Sequence, residues 1–384
     1  MTRAPQAGYV PALEGVRGVA ILLVVLVHAY LRPGGGFLGV DVFFVLSGFL
    51  ITTLLLREQS RRGRISLRGF YRRRALRLFP ALAVFLLGYV GLTVLVMSTT
   101  KADWSPSSLL LWPVVEGVFY VSNVAQAWGA LLPAGIRQLW SLATEEQFYL
   151  LWPLALVWLF KRRATPQKIS RVLVAAIVLI AADRLLLDVA GVSRVHLYFA
   201  PETSFDTLLV GCLFGVWFVH GNGPRMLYSR SFRRLLWPVA LAAAVLHVHV
   251  LGDWNDPYLY KVVLPLFSLE VGFLVFVAAT DERSLLARGL AIHPLRYLGR
   301  ISYSLYLWHP LVLFVVTPAF GAWFHNVHFT KSEGIALAIA CAMLSYNLVE
   351  VPFLRRKERL AAARVVPEPA AEQEPIVPLE LATT

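Results

Sequence analysis

Apolar runs long enough to cross a bilayer recur along the whole chain, and the basic residues are confined largely to the connections between them. A run of about 18 or more apolar residues is read as a spanning helix, because a helix satisfies its own backbone hydrogen bonds inside lipid. With 58% hydrophobic residues, 15% charged residues and a mean hydropathy of +0.64, the 384 residues form an all-α polytopic membrane protein. There is no room for a sizeable soluble domain, so any chemistry must lie within the helix bundle or at its rims.

The net charge of +13 would suit nucleic acid if it covered a soluble face. Clustered between apolar runs it sets topology instead, by the positive-inside rule, and no nucleic-acid partner is expected. Cys212 and Cys341 sit inside apolar runs as packing residues, which points to neither a disulfide nor a Cys-based metal site.

Hydropathy places spans near 12–31, 37–56, 75–97, 140–160, 172–190, 205–220, 236–251, 259–280, 301–319 and 334–354, a bundle of about ten helices. The stretch 105–128 is apolar but holds Pro106, Pro113, Glu116 and Asn123. Arginines from Arg57 to Arg77 mark one connection as cytoplasmic, and Lys161, Arg162, Arg163, Lys168 and Arg171 mark the next basic one. An even number of crossings must separate them, so 98–139 reads as an outside loop with an interfacial or re-entrant helix. Both termini then face the cytoplasm, and the location is the cytoplasmic (inner) membrane. "AYLRPGGG" offers no cleavage site after the first span, which is long for a signal sequence. Residues 1–360 read as one transmembrane domain; 361–384, rich in Pro, Ala and Glu, reads as a disordered cytoplasmic tail.

Charges persist inside these spans. Arg17 and His28 lie eleven residues apart, on one helix face and about 16 Å apart along the axis. Alone, Arg17 can snorkel to headgroups and pair with Glu14, and His28 can anchor the outer interface; together on one stripe they mark a site or pathway. Asp41 opens the second span near His28, where it either caps the helix or orients the imidazole as a general base. Glu145 and Glu146 follow Ser141 in the first turns of another span, a pattern that capping also explains. Asp206 stands at a further outer helix start.

On the inner side, Arg74 and Arg77 lie at i and i+3 on the rim of the third span, placed either to fix topology or to hold a phosphorylated donor. Ser302, Tyr303, Tyr306 and His309 form a polar, aromatic stripe, with His309 too deep for an interfacial belt. Glu350, near the inner end of the last span, is a candidate partner for Arg17 or Arg74.

Six stretches, "LEGVRGVAILLVVLVH", "GFLGVDVFFVLSGFLIT", "FYRRRALRLFPAL", "SLATEEQFYLLWP", "ISYSLYLWHP" and "VEVPF", together resemble the acyltransferase-3 family of integral-membrane acyltransferases, which includes surface-polysaccharide O-acetylases and antibiotic O-acylases. They occur in the family's order from residue 13 to about 353, and the set is specific where a single piece is not. The resemblance implies a bundle of about ten helices that moves an acyl group, expected to be acetyl, from cytoplasmic acyl-CoA to an acceptor hydroxyl, with no metal. Arg17 and His28 match the family's Arg-ten-residues-His motif, Arg74 and Arg77 its arginine motif, and Glu145 its acid before "QFY". The family's usual opening has Asp where Glu14 stands.

The expected division of labour follows from both readings. His28, poised by Asp41 or Glu145, is the catalytic base; Arg17, Arg74 and Arg77 hold the CoA; Asp206, Tyr303, Tyr306 and His309 contact substrate, one of the last three stabilising the oxyanion. A direct transfer and a two-step route through an acyl-enzyme both remain open. No appended hydrolase-like domain is expected, which leaves acceptor choice to the loops and outer cavity. The acceptor is a glycan, a glycolipid or a secondary metabolite such as a macrolide. A carrier for a lipid-linked substrate would use the same charges, but such carriers commonly show related halves or paired broken helices, and the sequence has neither.

Overall fold

The structure, a computed structural model, describes residues 9–31, 33–99, 107–251, 256, 258–323 and 329–362. Every regular element among them is helical. The chain runs through α1 (Pro11–His28), α2 (Gly39–Arg62), α3 (Leu67–Thr99), α4 (Trp112–Val118), α5 (Ser122–Ala127), α6 (Leu139–Lys161), α7 (Pro166–Val189), α8 (Arg194–Phe199), α9 (Pro201–His220), α10 (Arg230–Leu246), α11 (Leu264–Thr280), α12 (Leu285–Leu290), α13 (His293–Leu311), α14 (Thr317–Trp323), α15 (Lys331–Ser345) and α16 (Val351–Ala362).

All ten expected spans are helical. Eight of the helices are long and apolar enough to cross a membrane. The other two expected spans, α6 and α7, have 23 and 24 residues, about 35 Å of helix each. Both carry internal charges, Glu145 and Glu146 in α6 and Asp183 and Arg184 in α7. Helix ends differ from the apolar limits where polar sequence continues the helix. α3 starts at Leu67, before its apolar run, because basic residues hold helix well. The connection 98–139 contains the short helices α4 and α5, as its interrupted apolar pattern predicts. The tail expected at 361–384 lies outside the described residues beyond Ala362.

Local chemistry sets the boundaries. Thr165 caps α7 by accepting from the Lys168 N–H, and Thr330 with Glu333 forms a capping box on α15. Gly63 and Gly221, both left-handed, end α2 and α9. Pro310 removes a backbone donor near the end of α13, and the following turn, Val312–Val316, widens to π-helix.

Three helix pairs pack backbone to backbone and fix the frame of the bundle. α1 meets α12 and α13 through Gly15, Gly18 and Gly299, where an added methyl would collide with the carbonyls of Leu290, Leu295 and Glu14. α2 meets α9 through Gly48 and Gly211, against the carbonyls of Leu208 and Val45. Lipid supplies no hydrophobic drive between helices, so such small-residue contacts, which maximise dispersion, hold them together. Large exposed side chains such as Leu87, Leu179, Leu235 and Leu348 point outward to lipid, whereas Asp41, Arg184, Asp206, His309 and Glu350 are buried.

Candidate active site

α1, α2, α3, α6 and α13 surround a cavity of about 220 Å³. α2 supplies an apolar wall that includes Phe43, Phe44, Leu46 and Ile51, while the polar groups come from the other helices together with Ser47. Arg17, Arg73, Arg74, Arg77, Ser141, Glu145, Tyr149, Ser302, Tyr303 and Tyr306 all line it.

The arginines have separate duties. Arg17 donates from Nε and Nη2 to Ser302 Oγ at 3.2 and 2.9 Å, which ties α1 to α13. Arg74 donates from Nε to Glu146 Oε1 at 2.7 Å, has Nη2 3.9 Å from Glu145 Oε2, and lays its guanidinium 3.2 Å from the centre of the Tyr149 ring. Arg73 reaches Glu58 at 3.7 Å. Arg77 makes no hydrogen bond or ion pair with the described residues, and its guanidinium faces the cavity. Of the two arginines taken together from sequence, Arg74 is a structural cross-link, whereas Arg77 lines the cavity without a close ion pair, its charge felt by the buried Glu350 and by Arg17.

Higher along the cavity, Ser47 donates to Glu145 Oε1 at 2.7 Å. Tyr306 Oη lies 2.6 Å from Ser141 Oγ and donates to the Gln138 carbonyl at 3.1 Å, so the Ser141 hydroxyl is the donor to Tyr306. The Tyr306 ring is 5.7 Å from the ring of His309, which in turn is 5.0 Å from that of His28. His28 Nδ1 lies 2.8 Å from the Val24 carbonyl and His309 Nδ1 lies 2.8 Å from the Leu305 carbonyl. A carbonyl can only accept, so each ring carries its proton on Nδ1. His309 Nε2, 3.4 Å from His28 Nδ1, is then an acceptor for that same proton. His28 Nε2 is left as a lone-pair base.

Several expectations change. Asp41 does not pair with His28: α2 turns that side chain toward α9, where it faces the charges of Arg184 and Asp206. Asp206 is not a cavity residue; Arg184 grips it with Nη1 to Oδ1 at 3.0 Å and Nη2 to Oδ2 at 2.8 Å, and also donates to the carbonyls of Tyr260 and Thr203. Glu145 is held by Ser47 and Arg74 and does not touch His28. Tyr303 lines the cavity with its hydroxyl proton given to the Leu78 carbonyl at 3.0 Å. Neither tyrosine therefore has a free proton for an oxyanion. Glu350 accepts from Ser304 at 2.5 Å and is not ion-paired with Arg17 or Arg74. Glu14 belongs to a surface cluster with Tyr9, Arg296 and Arg300, leaving Arg17 to the cavity.

Arg184 was legible as a charge inside an apolar run, which requires a buried partner. Ser47, Gln138 and Tyr149 carry no such signal, since lone polar residues in spans are common. Among the described residues no group of His, Cys, Asp or Glu is placed to hold a metal ion. Tyr120, in the connection after α4, has its hydroxyl pKa pushed up by burial, with Glu146 adding to the effect.

The fold and this chamber define a polytopic helical membrane protein with a polar cavity lined by four arginines, beside a pair of histidines, His309 buried and His28 half-buried, that do not line it themselves and reach it through the ring of Tyr306. The chain belongs to the acyltransferase-3 family: the family's model, described as an acyltransferase domain, matches residues 10–346. It is 30% identical over 354 residues to the peptidoglycan O-acetyltransferase OatA of Listeria monocytogenes, covering 90% of this chain and 56% of that protein. It is 28% identical over 377 residues to the O-acetyltransferase OatA of Staphylococcus aureus, with 94% and 59% covered. With the putative peptidoglycan O-acetyltransferase YrhL of Bacillus subtilis it shares 31% identity over 373 residues, with 93% and 57% covered. The chain thus spans less than two thirds of the length of these relatives. No solved structure matches it.

Proposed function

We propose that this chain is an O-acyltransferase of the cytoplasmic membrane that moves an acetyl group from cytoplasmic acetyl-CoA to a hydroxyl of a cell-envelope glycan. Both termini face the cytoplasm in this reading, which puts Arg73 and Arg77 at the donor side and His28 toward the outer side. The observation that carries it is the line of polar groups from Arg77 and Arg17 past Glu145 and Tyr306 to His309 and His28. The acceptor class comes from the names of the similar proteins.

Arg77 holds the CoA phosphates as a fork of donors, and the Arg17–Ser302 pair ties the α1 and α13 walls of the cavity together. The apolar wall of α2 keeps bulk water from the thioester. His28 Nε2 takes the proton from the acceptor hydroxyl; that oxygen forms a bond to the thioester carbonyl carbon, the C–S bond breaks, and the CoA sulfur leaves with the proton. His309 fixes the orientation of the base. In this reading the acyl group passes directly from the thioester to the acceptor oxygen.

The reading is tested with membranes carrying the wild type or His28→Ala, supplied with acetyl-CoA labelled in the acetyl group and with envelope glycan. A labelled ester formed by the wild type and lost in the variant, at equal protein level, supports it. Equal ester in both removes His28 as base, and label-free transport of an unaltered substrate by both moves the carrier reading forward.

A further inference from the structure

α1 ends in an unusual way two residues beyond His28. The Leu31 N–H donates to the Leu26 carbonyl at 2.9 Å and the Tyr30 N–H to the Val27 carbonyl at 3.0 Å, the paired bonds of a Schellman cap. The residue at the turning position of that cap is Tyr30, with φ +56°, where glycine is the ordinary choice. Left-handed backbone at a bulky residue is strained, and such strain gathers at functional positions.

Tyr120 and Arg163 share this conformation, but the Tyr120 ring packs on Phe79 and Arg163 stands beside other cytoplasmic-side cations. Tyr30 instead leaves 76% of its surface exposed. Its ring stands on edge to Phe314, which also packs against His28, so one phenylalanine sets the positions of both. Lys331, at the start of α15, donates from Nζ to the Tyr30 carbonyl at 3.2 Å, and its ammonium lies 5.9 Å from the Tyr30 ring centre. Arg137 is a further cation acting on His28. An exposed aromatic face and two cations therefore frame the rim around the base.

We propose that Tyr30 and Lys331 form the acceptor subsite: the Tyr30 ring stacks on a pyranose and the Lys331 ammonium pairs with a carboxylate on the same glycan. This rests on the reading of His28 as the base of acyl transfer. The C–H face of a pyranose is electropositive and apolar, which suits the negative face of a tyrosine ring. The ammonium has protons beyond the one given to Tyr30, and it adds a preference for acidic sugars.

The test uses the full chain in lipid nanodiscs and calorimetric binding of two probes, a neutral N-acetylglucosamine tetrasaccharide and an acidic tetrasaccharide alternating N-acetylglucosamine with glucuronate. The wild type is expected to bind the acidic probe more tightly. Tyr30→Gly relieves the backbone strain, so it raises the unfolding temperature while weakening both probes about tenfold, the scale of one stacking contact. Tyr30→Trp keeps binding. Lys331→Gln, which can still donate to the Tyr30 carbonyl, abolishes only the preference for the acidic probe and its salt sensitivity. If Tyr30→Gly binds both probes as the wild type does, or the wild type binds neither, the ring is an interfacial anchor and the subsite is overturned. Intact binding without ester formation from acetyl-CoA instead sinks the acyl-transfer reading and leaves the subsite standing.

Discussion

His309 Nε2 lies 3.4 Å from His28 Nδ1, across 281 residues of sequence, and each ring gives its Nδ1 proton to the carbonyl four residues earlier. His28 is thereby locked in one tautomer with Nε2 free. Replacing His309 with leucine removes the second acceptor and the ring that packs on His28. The expected outcome is a fall in kcat of about tenfold to a hundredfold, the range of a mispositioned general base, with little change in KM for acetyl-CoA. Steady-state kinetics with the acceptor saturating checks it, and a change confined to KM would count against the positioning role.

Arg74 and Arg77 are expected to part company on mutation. Arg74→Gln leaves the half-buried Glu146 without its partner and removes the guanidinium from Tyr149, so the protein loses stability by about 1–3 kcal/mol, the scale of an unsatisfied, largely enclosed polar group. Arg77→Gln breaks no hydrogen bond or close ion pair among the described residues and removes only a longer-range charge on Glu350, so the unfolding temperature changes little while KM for acetyl-CoA rises tenfold or more. Thermal unfolding in detergent and donor titrations on both variants decide it; the reverse pattern would exchange their assigned roles.

The Arg184–Asp206 pair is closed, with four hydrogen bonds on the guanidinium, and neither residue lines the cavity. Asp206→Ala is expected to destabilise by about 3–5 kcal/mol because it leaves an uncompensated buried cation. The double change Arg184→Met with Asp206→Leu restores much of that loss. Protein that remains folded should turn over with an unaltered KM for the acceptor. A raised KM there would return Asp206 to the substrate site.

Gly15 and Gly211 are backbone contacts. Alanine at either drives a methyl into a main-chain carbonyl, of Leu290 or Val45 respectively, which a side chain could yield to but a packed backbone cannot. Each change is expected to cost about 1–3 kcal/mol or more and to reduce the yield of folded protein. Alanine at Gly91, where an added methyl meets open space, serves as the control and should match the wild type.

The class of protein and the helical character of its apolar runs were readable along the chain. Hydropathy and basic clusters act locally, since each span must satisfy its own backbone and bury or expose its own charge wherever the neighbours lie. For the same reason Arg17 and His28 could be placed on one face from their spacing alone. The partners of those groups were not readable. Asp41 follows His28 closely in sequence yet faces Arg184 and Asp206, while His309 comes from a distant helix to lie beside His28. Which way a helix face turns is set by close packing at Gly15, Gly18, Gly48 and Gly211, and those contacts exist only when the helices assemble. Tertiary structure therefore decided which arginine makes no close ion pair, which acid is locked in one, and which ring packs on His28.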